Sequence, residues 1–348
     1  LSEWDRVDGP LSYMMSGSYT STIWSMATAF ENPDALFNRF LENRSLVASR
    51  LADNNPNPYC DQLVLDTMNG NYYPAGYSAN QQTVLLTSFL ATYLGEEAAT
   101  RSFSPFLKMP LPNWSINYNG LNKVQFLRKW FTNITLSHRY SSTYSIGSFY
   151  TDAAISAYAG NYEYGQECVL NSSGDYIAPV SMEGVTISEQ FSPLIGVDVT
   201  TPSNLTAKLE YKKSRNMNLS MTAVQLVETA SDDIVVGAGY KIVGLKLFGA
   251  GHSTAPAKNK VSNDMNLRLD VSYRDQSALC RNIQDLTTQA TSGNKAVKVS
   301  LSADYAYSKM LTLNAYFDHQ TNIPVVSASA YPTSTNDFGV SLKFSLTK

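Results

Sequence analysis

The side chains of this sequence that could do chemistry are spaced wrongly for it. His138, His252 and His319 stand apart, with no HxxxH or Glu-His pairing that would set two imidazoles on one metal ion or hand one of them a carboxylate. Cys60, Cys168 and Cys280 have neither the spacing of a zinc site nor the density of a disulfide scaffold. Gly237-Ala238-Gly239 and Gly249-Ala250-Gly251 lack the third glycine and the strand-to-helix setting of a nucleotide loop. No serine sits in a GxSxG elbow. Asp232-Asp233 reads as a turn pair, and the N-x-S/T triplets at Asn113, Asn133, Asn171, Asn204 and Asn218 read as chance matches. No catalytic residue, metal ligand or cofactor is expected, and the chain is not read as an enzyme.

Composition points to surfaces instead of sites. Among 348 residues, 26 Lys+Arg oppose 29 Asp+Glu, so the net charge is −3 and no basic field exists to attract nucleic acid. Charged residues are only 16% and apolar ones 43%, which excludes disorder. No stretch reaches the ~18 apolar residues of a spanning helix; the nearest, Val84–Leu94, is too short. A helical membrane protein is thereby excluded, whereas a membrane barrel is not, since its strands alternate. Leu1–Pro10 carries neither an initiating Met nor a basic-then-apolar leader, and the chain reads as a processed product or a piece of a longer polypeptide.

Strict period two dominates the chain. In Asn133–Tyr150, Ile134, Leu136, His138, Tyr140, Ser142, Tyr144 and Ile146 form one face, and Asn133, Thr135, Ser137, Arg139, Ser141 and Thr143 the other. Met265, Leu267, Leu269, Val271 and Tyr273 alternate with Asn266, Arg268, Asp270, Ser272 and Arg274; Val297, Val299, Leu301, Ala303 and Tyr305 alternate with Lys298, Ser300, Ser302 and Asp304. Each pattern is one apolar wall backed by one wet wall.

Strand length then separates a sandwich from a membrane wall, because sandwich strands average about 5–6 residues and membrane strands need about 9–11. Residues 204–226 keep one apolar register and read as a single strand of 23 residues, roughly 75 Å at ~3.3 Å per residue, overhanging a bilayer. Lys213 and Arg215 interrupt its apolar face, so Lys212–Arg215 is placed at a headgroup layer with the side chains snorkelling outward. Thr201–Asn204 and Ala230–Asp233 read as tight turns; 161–182, 249–263 and 275–293 read as polar rim loops. About ten strands follow, at 11–26, 112–118, 131–150, 184–200, 204–226, 232–249, 263–274, 295–307, 309–320 and 338–347, with 323–330 an uncertain further one.

A helical stretch interrupts this pattern. Asn32 reads as an N-cap with Pro33 at the first helical position, followed by a stripe of Leu36, Phe37, Phe40, Leu41, Val47 and Leu51. A second helix spans Gln81–Leu94 and stops at Gly95. Both stripes are expected to pack onto their own protein beneath a barrel mouth. The predicted organisation is barrel strand over 1–30, helical insert over 31–110, and antiparallel strands over 111–348.

Five runs carry a resemblance: PNWSINYNGL (112–121), LSHRYSSTYSIGSF (136–149), ISEQFSPLIGVDV (187–199), LEYKKSRNMNLSM (209–221) and QQTVLLTSFLATYLG (81–95). Together they resemble the C-terminal part of the SprA/Sov family, the outer-membrane translocon of the type IX secretion system of Bacteroidota, over most of the chain. The resemblance implies an all-β fold with a helical insert: a transmembrane wall of very long antiparallel strands, part of one giant single-chain barrel that exports folded cargo. It implies as partners the N-terminal remainder of the barrel, a PorV-type outer-membrane barrel, a periplasmic plug, and cargo bearing a C-terminal secretion domain. Lipid and lipopolysaccharide would surround it.

Within that fold Asn133, Thr135, Ser137, Arg139, Arg268, Asp270, Lys298 and Asp304 are expected to face the lumen. Phe338, Val340, Leu342, Phe344 and Leu346 should mark the barrel-closing strand, although Lys348 ends the chain where a terminal aromatic is common. The C-terminus and the helical insert are both expected in the periplasm. Two rival readings are a self-contained small porin or nutrient channel, and a soluble tyrosine-rich surface adhesin.

Overall fold

A computed structural model describes residues 16–152, 154–155, 162–245, 263–307, 311–326 and 331–345. In chain order the strands are β1 (Ser16–Thr22), β2 (Leu63–Leu65), β3 (Tyr72–Pro74), β4 (Trp114–Tyr118), β5 (Asn133–Tyr150), β6 (Ser181–Met182), β7 (Gly184–Thr200), β8 (Leu205–Ser220), β9 (Gln225–Ile242), β10 (Met265–Asn282), β11 (Thr287–Ala306), β12 (Leu311–Pro324) and β13 (Thr333–Phe344). The helices are α1 (Pro33–Asn54) and α2 (Gln82–Leu94). All strands but the β2–β3 hairpin join one antiparallel sheet, whose main path runs β1-β5-β7-β8-β9-β10-β11-β12-β13. Among the described residues the sheet is open: β13 pairs with β12 alone, and β1 and β4 with β5 alone. Most of its strands are far longer than the usual ~5–6 residues: β5, β9 and β10 have 18 each and β11 has 20.

β1 and β4 are two halves of one interrupted edge. Ser16–Thr22 pairs with the upper part of β5 down to Thr143, and Trp114 resumes opposite Tyr140. Everything between, residues 23–113, leaves the sheet at this gap and returns to it, the Leu111 amide donating to the Thr22 carbonyl at 3.0 Å. The helical insert is therefore an excursion from the middle of a strand.

Inside the excursion the local signals act as their chemistry requires. The Asn32 side chain accepts from the Asp34 and Ala35 amides, Pro33 opens α1, and Gly95 ends α2 in the left-handed region at φ 71°. Leu36, Phe37 and Phe40 of α1 and Leu85, Leu86, Phe89 and Tyr93 of α2 pack against Tyr144, Ile146, Val185, Ile187, Met217, Leu219 and Leu226 of the sheet. The other flank, with Val47, Leu51, Val84 and Ala91, closes on Tyr73, Tyr77 and Tyr176. Every residue of α2 from Thr83 to Tyr93 is buried, which gives it the central place in this layer.

Several expected boundaries are corrected. The single strand over 204–226 is two: β8 ends at Ser220, Met221–Val224 turns, and β9 begins at Gln225. The turn carries no Gly, Pro or Asn, and Leu219 pairs with Leu226 on the same face, so the apolar register runs through it unbroken. Ala230–Asp233 lies inside β9, not in a turn, and Asp232 and Asp233 are held by Lys213 and Arg274. The supposed loop 275–293 is mostly strand, with a four-residue turn at 283–286 where Asn282 accepts from the Gln284 and Asp285 amides. The expected 338–347 strand begins earlier, at Thr333. Residues 11–15, 246–262, 308–310, 327–330 and 346–348, where other expected elements fall, lie outside the described residues.

The end of β13 and the helical insert lie at opposite ends of the sheet, not together. β13 runs toward Phe344, which pairs with Leu311 at the end that also holds the Thr201–Asn204 turn. The insert covers the other end, with the turns at 221–224 and 283–286.

Candidate functional site

The functional feature is the sheet itself, because antiparallel register puts paired residues on one face and so carries a face across strands. One face runs Leu209↔Val236↔Val271↔Val299, with Leu136↔Val197↔Leu209 on one side and Leu301↔Phe317↔Phe338 on the other. In β10 the apolar positions extend from Met265 to Tyr273, nine residues, and in β11 from Val297 to Tyr305, also nine. That is the height a tilted strand needs to cross a hydrocarbon core, about 9–11 residues. These side chains are not covered: Leu209 is 47% exposed, Val236 48%, Leu301 47% and Phe338 79%. A contiguous exposed apolar face is, in general, the mark of a surface that meets a protein partner or a membrane.

Both margins of the band are aromatic. Tyr240 and Tyr305 stand at the C-terminal margin. Trp114, Tyr140, Phe191, Tyr211 and Tyr273 stand at the insert margin, where the Trp114 and Tyr140 rings stack at 4.6 Å. Directly beyond that margin the same face turns ionic: Glu189–Arg215, Lys213–Asp232 and Asp275–Lys295 form a row across five strands. Lys213 lies at this edge, paired with Asp232 at 3.2 Å. Arg215 does not snorkel outward; it turns into the helical insert and is only 11% exposed.

Arg215 anchors the insert where it leaves the sheet. Its Nε donates to Glu189 Oε2 at 2.5 Å, and its terminal nitrogens donate to the Ser25 and Thr28 carbonyls at 2.7 and 3.0 Å. Glu189 Oε1 accepts from Ser25 Oγ and from the Tyr140 hydroxyl, both at 2.8 Å. A second clamp lies deeper: Arg281 donates to Glu228 at 2.7 Å and pairs with Asp34 of α1 at 2.8 Å, and the Tyr93 hydroxyl donates to Glu228 at 2.6 Å. Sequence reasoning missed both clamps, since their members are far apart in the chain; the one visible signal was an arginine breaking an apolar register.

The opposite face is polar and mixed in charge. All eight residues expected to face a lumen lie on it: Asn133, Thr135, Ser137 and Arg139 on β5, Arg268 and Asp270 on β10, and Lys298 and Asp304 on β11. The structure does not gather them into one cluster. Lys298 pairs with Asp318 at 3.2 Å, Asp304 accepts from Asn314 at 2.7 Å, and Asn133 accepts from Asn122 at 2.8 Å. Further pairs on this face are Arg274–Asp233 and Lys208–Glu210, at 2.7 and 2.9 Å. Opposite charges alternate at arm's length, so the wall carries no extended field of either sign. Of the expected closing strand, Phe338, Val340, Leu342 and Phe344 share the apolar face of β13, and Leu346 lies outside the described residues.

Among the described residues no group of His, Cys, Asp or Glu is arranged to hold a metal ion. His138 donates through Nδ1 to the Leu194 carbonyl at 2.7 Å, in the bulge of β7, and His319 contacts Asn336 at the same distance. Buried carboxylates occur inside the insert instead. Glu167 accepts from the Tyr77 hydroxyl at 2.5 Å and the Gly165 amide at 2.8 Å, and burial pushes both its carboxyl and the Tyr77 phenol up. No family model matches the chain, and no curated protein sequence matches it.

Proposed function

We propose that this chain is a segment of the wall of a large outer-membrane barrel that conducts folded proteins, as its resemblance to the SprA/Sov translocons implies. The carrying observation is the two-faced sheet: a bare apolar band nine residues tall on one face, bounded by aromatics, and a charge-balanced Ser/Thr/Asn-rich face behind it. Lipid or an adjoining PorV-type barrel would lie against the first face and a water-filled lumen against the second. A balanced, hydrated wall gives an emerging folded cargo no apolar area to adhere to and no net field to be trapped in. Nothing in this role needs a cofactor.

Two further observations favour a larger barrel over a self-contained porin. Among the described residues the sheet is open at β13 and at the β1–β4 edge, and the strands rise well beyond the band on the insert side. In the full assembly, β13 would meet the first strand of the N-terminal remainder. The excursions 23–113 and 151–183 leave and rejoin the sheet at the insert end, against the shorter connections 119–132 and 243–264 at the other. Outer-membrane barrels keep large segments outside and turns inside. The insert is accordingly assigned to the cell exterior and the C-terminus to the periplasm, revising the expectation that both are periplasmic; a periplasmic plug would act at the C-terminal end.

An immunoblot of heated outer membranes, with antibody to Asp264–Leu279, tests this directly. A species several times heavier than 38.3 kDa is expected. A heat-modifiable band near 38.3 kDa would support the small porin, and a carbonate-soluble one the adhesin.

A further inference from the structure

The short segment 119–131, between β4 and β5, lies at the C-terminal end of the sheet and is basic and aromatic in make-up. Lys123, Arg128 and Lys129 are exposed, and the segment contains no Asp or Glu. Phe126 is 71% exposed and Trp130 64%, and they flank the single short turn Leu127–Lys129. The segment is nevertheless folded: Arg128 N donates to the Val124 carbonyl, Phe131 N to Leu127, and Asn122 Oδ1 accepts from the Ile134 amide at 2.6 Å, clamping it to the start of β5. An open notch lined by Asn122, Lys123, Arg128, Phe131 and Thr132 lies beside the two aromatics.

We propose that this segment is a docking site for anionic glycerophospholipid, Phe126 and Trp130 entering the acyl boundary while Lys123, Arg128 and Lys129 hold the headgroup phosphate. Aromatic rings prefer the water–lipid interface, and basic side chains beside it gain from anionic headgroups. Three cations with no anion among them supply the charge complementarity, and the segment leads into β5 where the Thr132 amide donates to the Thr200 carbonyl at 2.7 Å, beside the turn at the C-terminal end of the sheet. The inference rests on the membrane reading of the sheet and adds a headgroup preference to it.

The test is native mass spectrometry of the full chain, purified in detergent and offered equimolar phosphatidylglycerol and phosphatidylcholine. The native chain should retain phosphatidylglycerol at least about fivefold over phosphatidylcholine. K123Q/R128Q/K129Q should bring the ratio near unity, whereas K295Q/K298Q should leave it unchanged. F126S/W130S should lower retention of both lipids. A triple variant that keeps the native ratio, a native chain without preference, or one that takes lipid A and ignores phosphatidylglycerol would overturn the assignment. A chain that stays in solution without detergent would instead overturn the membrane reading beneath it, so the two failures are distinguishable.

Discussion

Arg215 and Glu189, neighbours on β8 and β7, meet at 2.5 Å where the helical insert leaves the sheet, and both are claimed by the insert as well as by each other. Glu189 is 1% exposed. A charge so deeply buried is tolerable because each carboxylate oxygen has a charged or hydroxyl partner. The pair converts an excursion from mid-strand into a fixed shelf on the sheet.

Breaking one side of that pair should loosen the shelf. Arg215→Met leaves Glu189 buried with only hydroxyl donors and should destabilise the insert by about 3–5 kcal/mol, whereas E189M/R215M should recover part of the loss. Urea unfolding monitored with limited proteolysis reads both effects. A loss in Arg215→Met below about 1 kcal/mol, as for a surface ion pair, would remove the clamp from this account.

Leu269 and Ser300 offer a comparison of the two faces. Leu269 sits at the centre of the β10 apolar run, and Ser300 pairs with Asp270 on the opposite face. Leu269→Arg should destabilise the membrane-inserted chain by about 2–4 kcal/mol, the figure for a basic residue at the bilayer midplane. Ser300→Arg should change stability by well under 1 kcal/mol, as surface substitutions do. Equal effects in lipid-vesicle unfolding would mean that the two faces meet the same solvent.

Much of this two-sidedness was legible in the sequence, because period two is imposed residue by residue and needs no partner to be seen. Met265–Tyr273 and Val297–Tyr305 were recognisable for that reason, as were the Asn32-Pro33 start of α1 and the Gly95 stop of α2. The turns at 221–224 and 283–286 were not. Neither contains glycine or proline, and Val224 and Leu286 instead adopt positive φ, at 47° and 54°, which local residue preference would not suggest. The Ser25–Glu189–Arg215 anchor was invisible because only the register of β7 on β8 brings it together. For the same reason the placement of the insert at the end opposite the C-terminus could not be read from order along the chain.

The insert should respond to pH through Glu167. Its burial raises the carboxyl above the ordinary carboxylate range, so the folded chain keeps a proton that the unfolded chain has released. Stability is therefore unpenalised in acid, below the unfolded value, and falls as pH rises through the window up to the raised one. Asp175, also raised by burial, acts in the same direction. Glu167→Gln should flatten the slope, and E167Q/D175N flatten it further, in melting of the insert followed from about pH 4 to about pH 8. A slope of opposite sign in the native chain would contradict the burial of Glu167.

Sidedness has its own consequence. The β2–β3 hairpin exposes Leu63, Val64, Met68 and Tyr72 at the surface of the insert. Protease added to intact cells should cut between residues 63 and 72 and leave the sheet, including the β7–β8 turn, uncut. Cleavage only after the outer membrane is opened would return the insert to the periplasm.

The most direct measurement is a single-cysteine scan of Met265–Arg274 in outer membranes, in a background with Cys60, Cys168 and Cys280 replaced by serine. Water-soluble maleimide should label positions 266, 268, 270, 272 and 274, while 265, 267, 269, 271 and 273 stay protected and instead respond to lipid-borne nitroxide. Labelling of both sets alike, with no lipid contact on either, would mean that β10 stands in water on both faces and that the sheet is not a membrane wall.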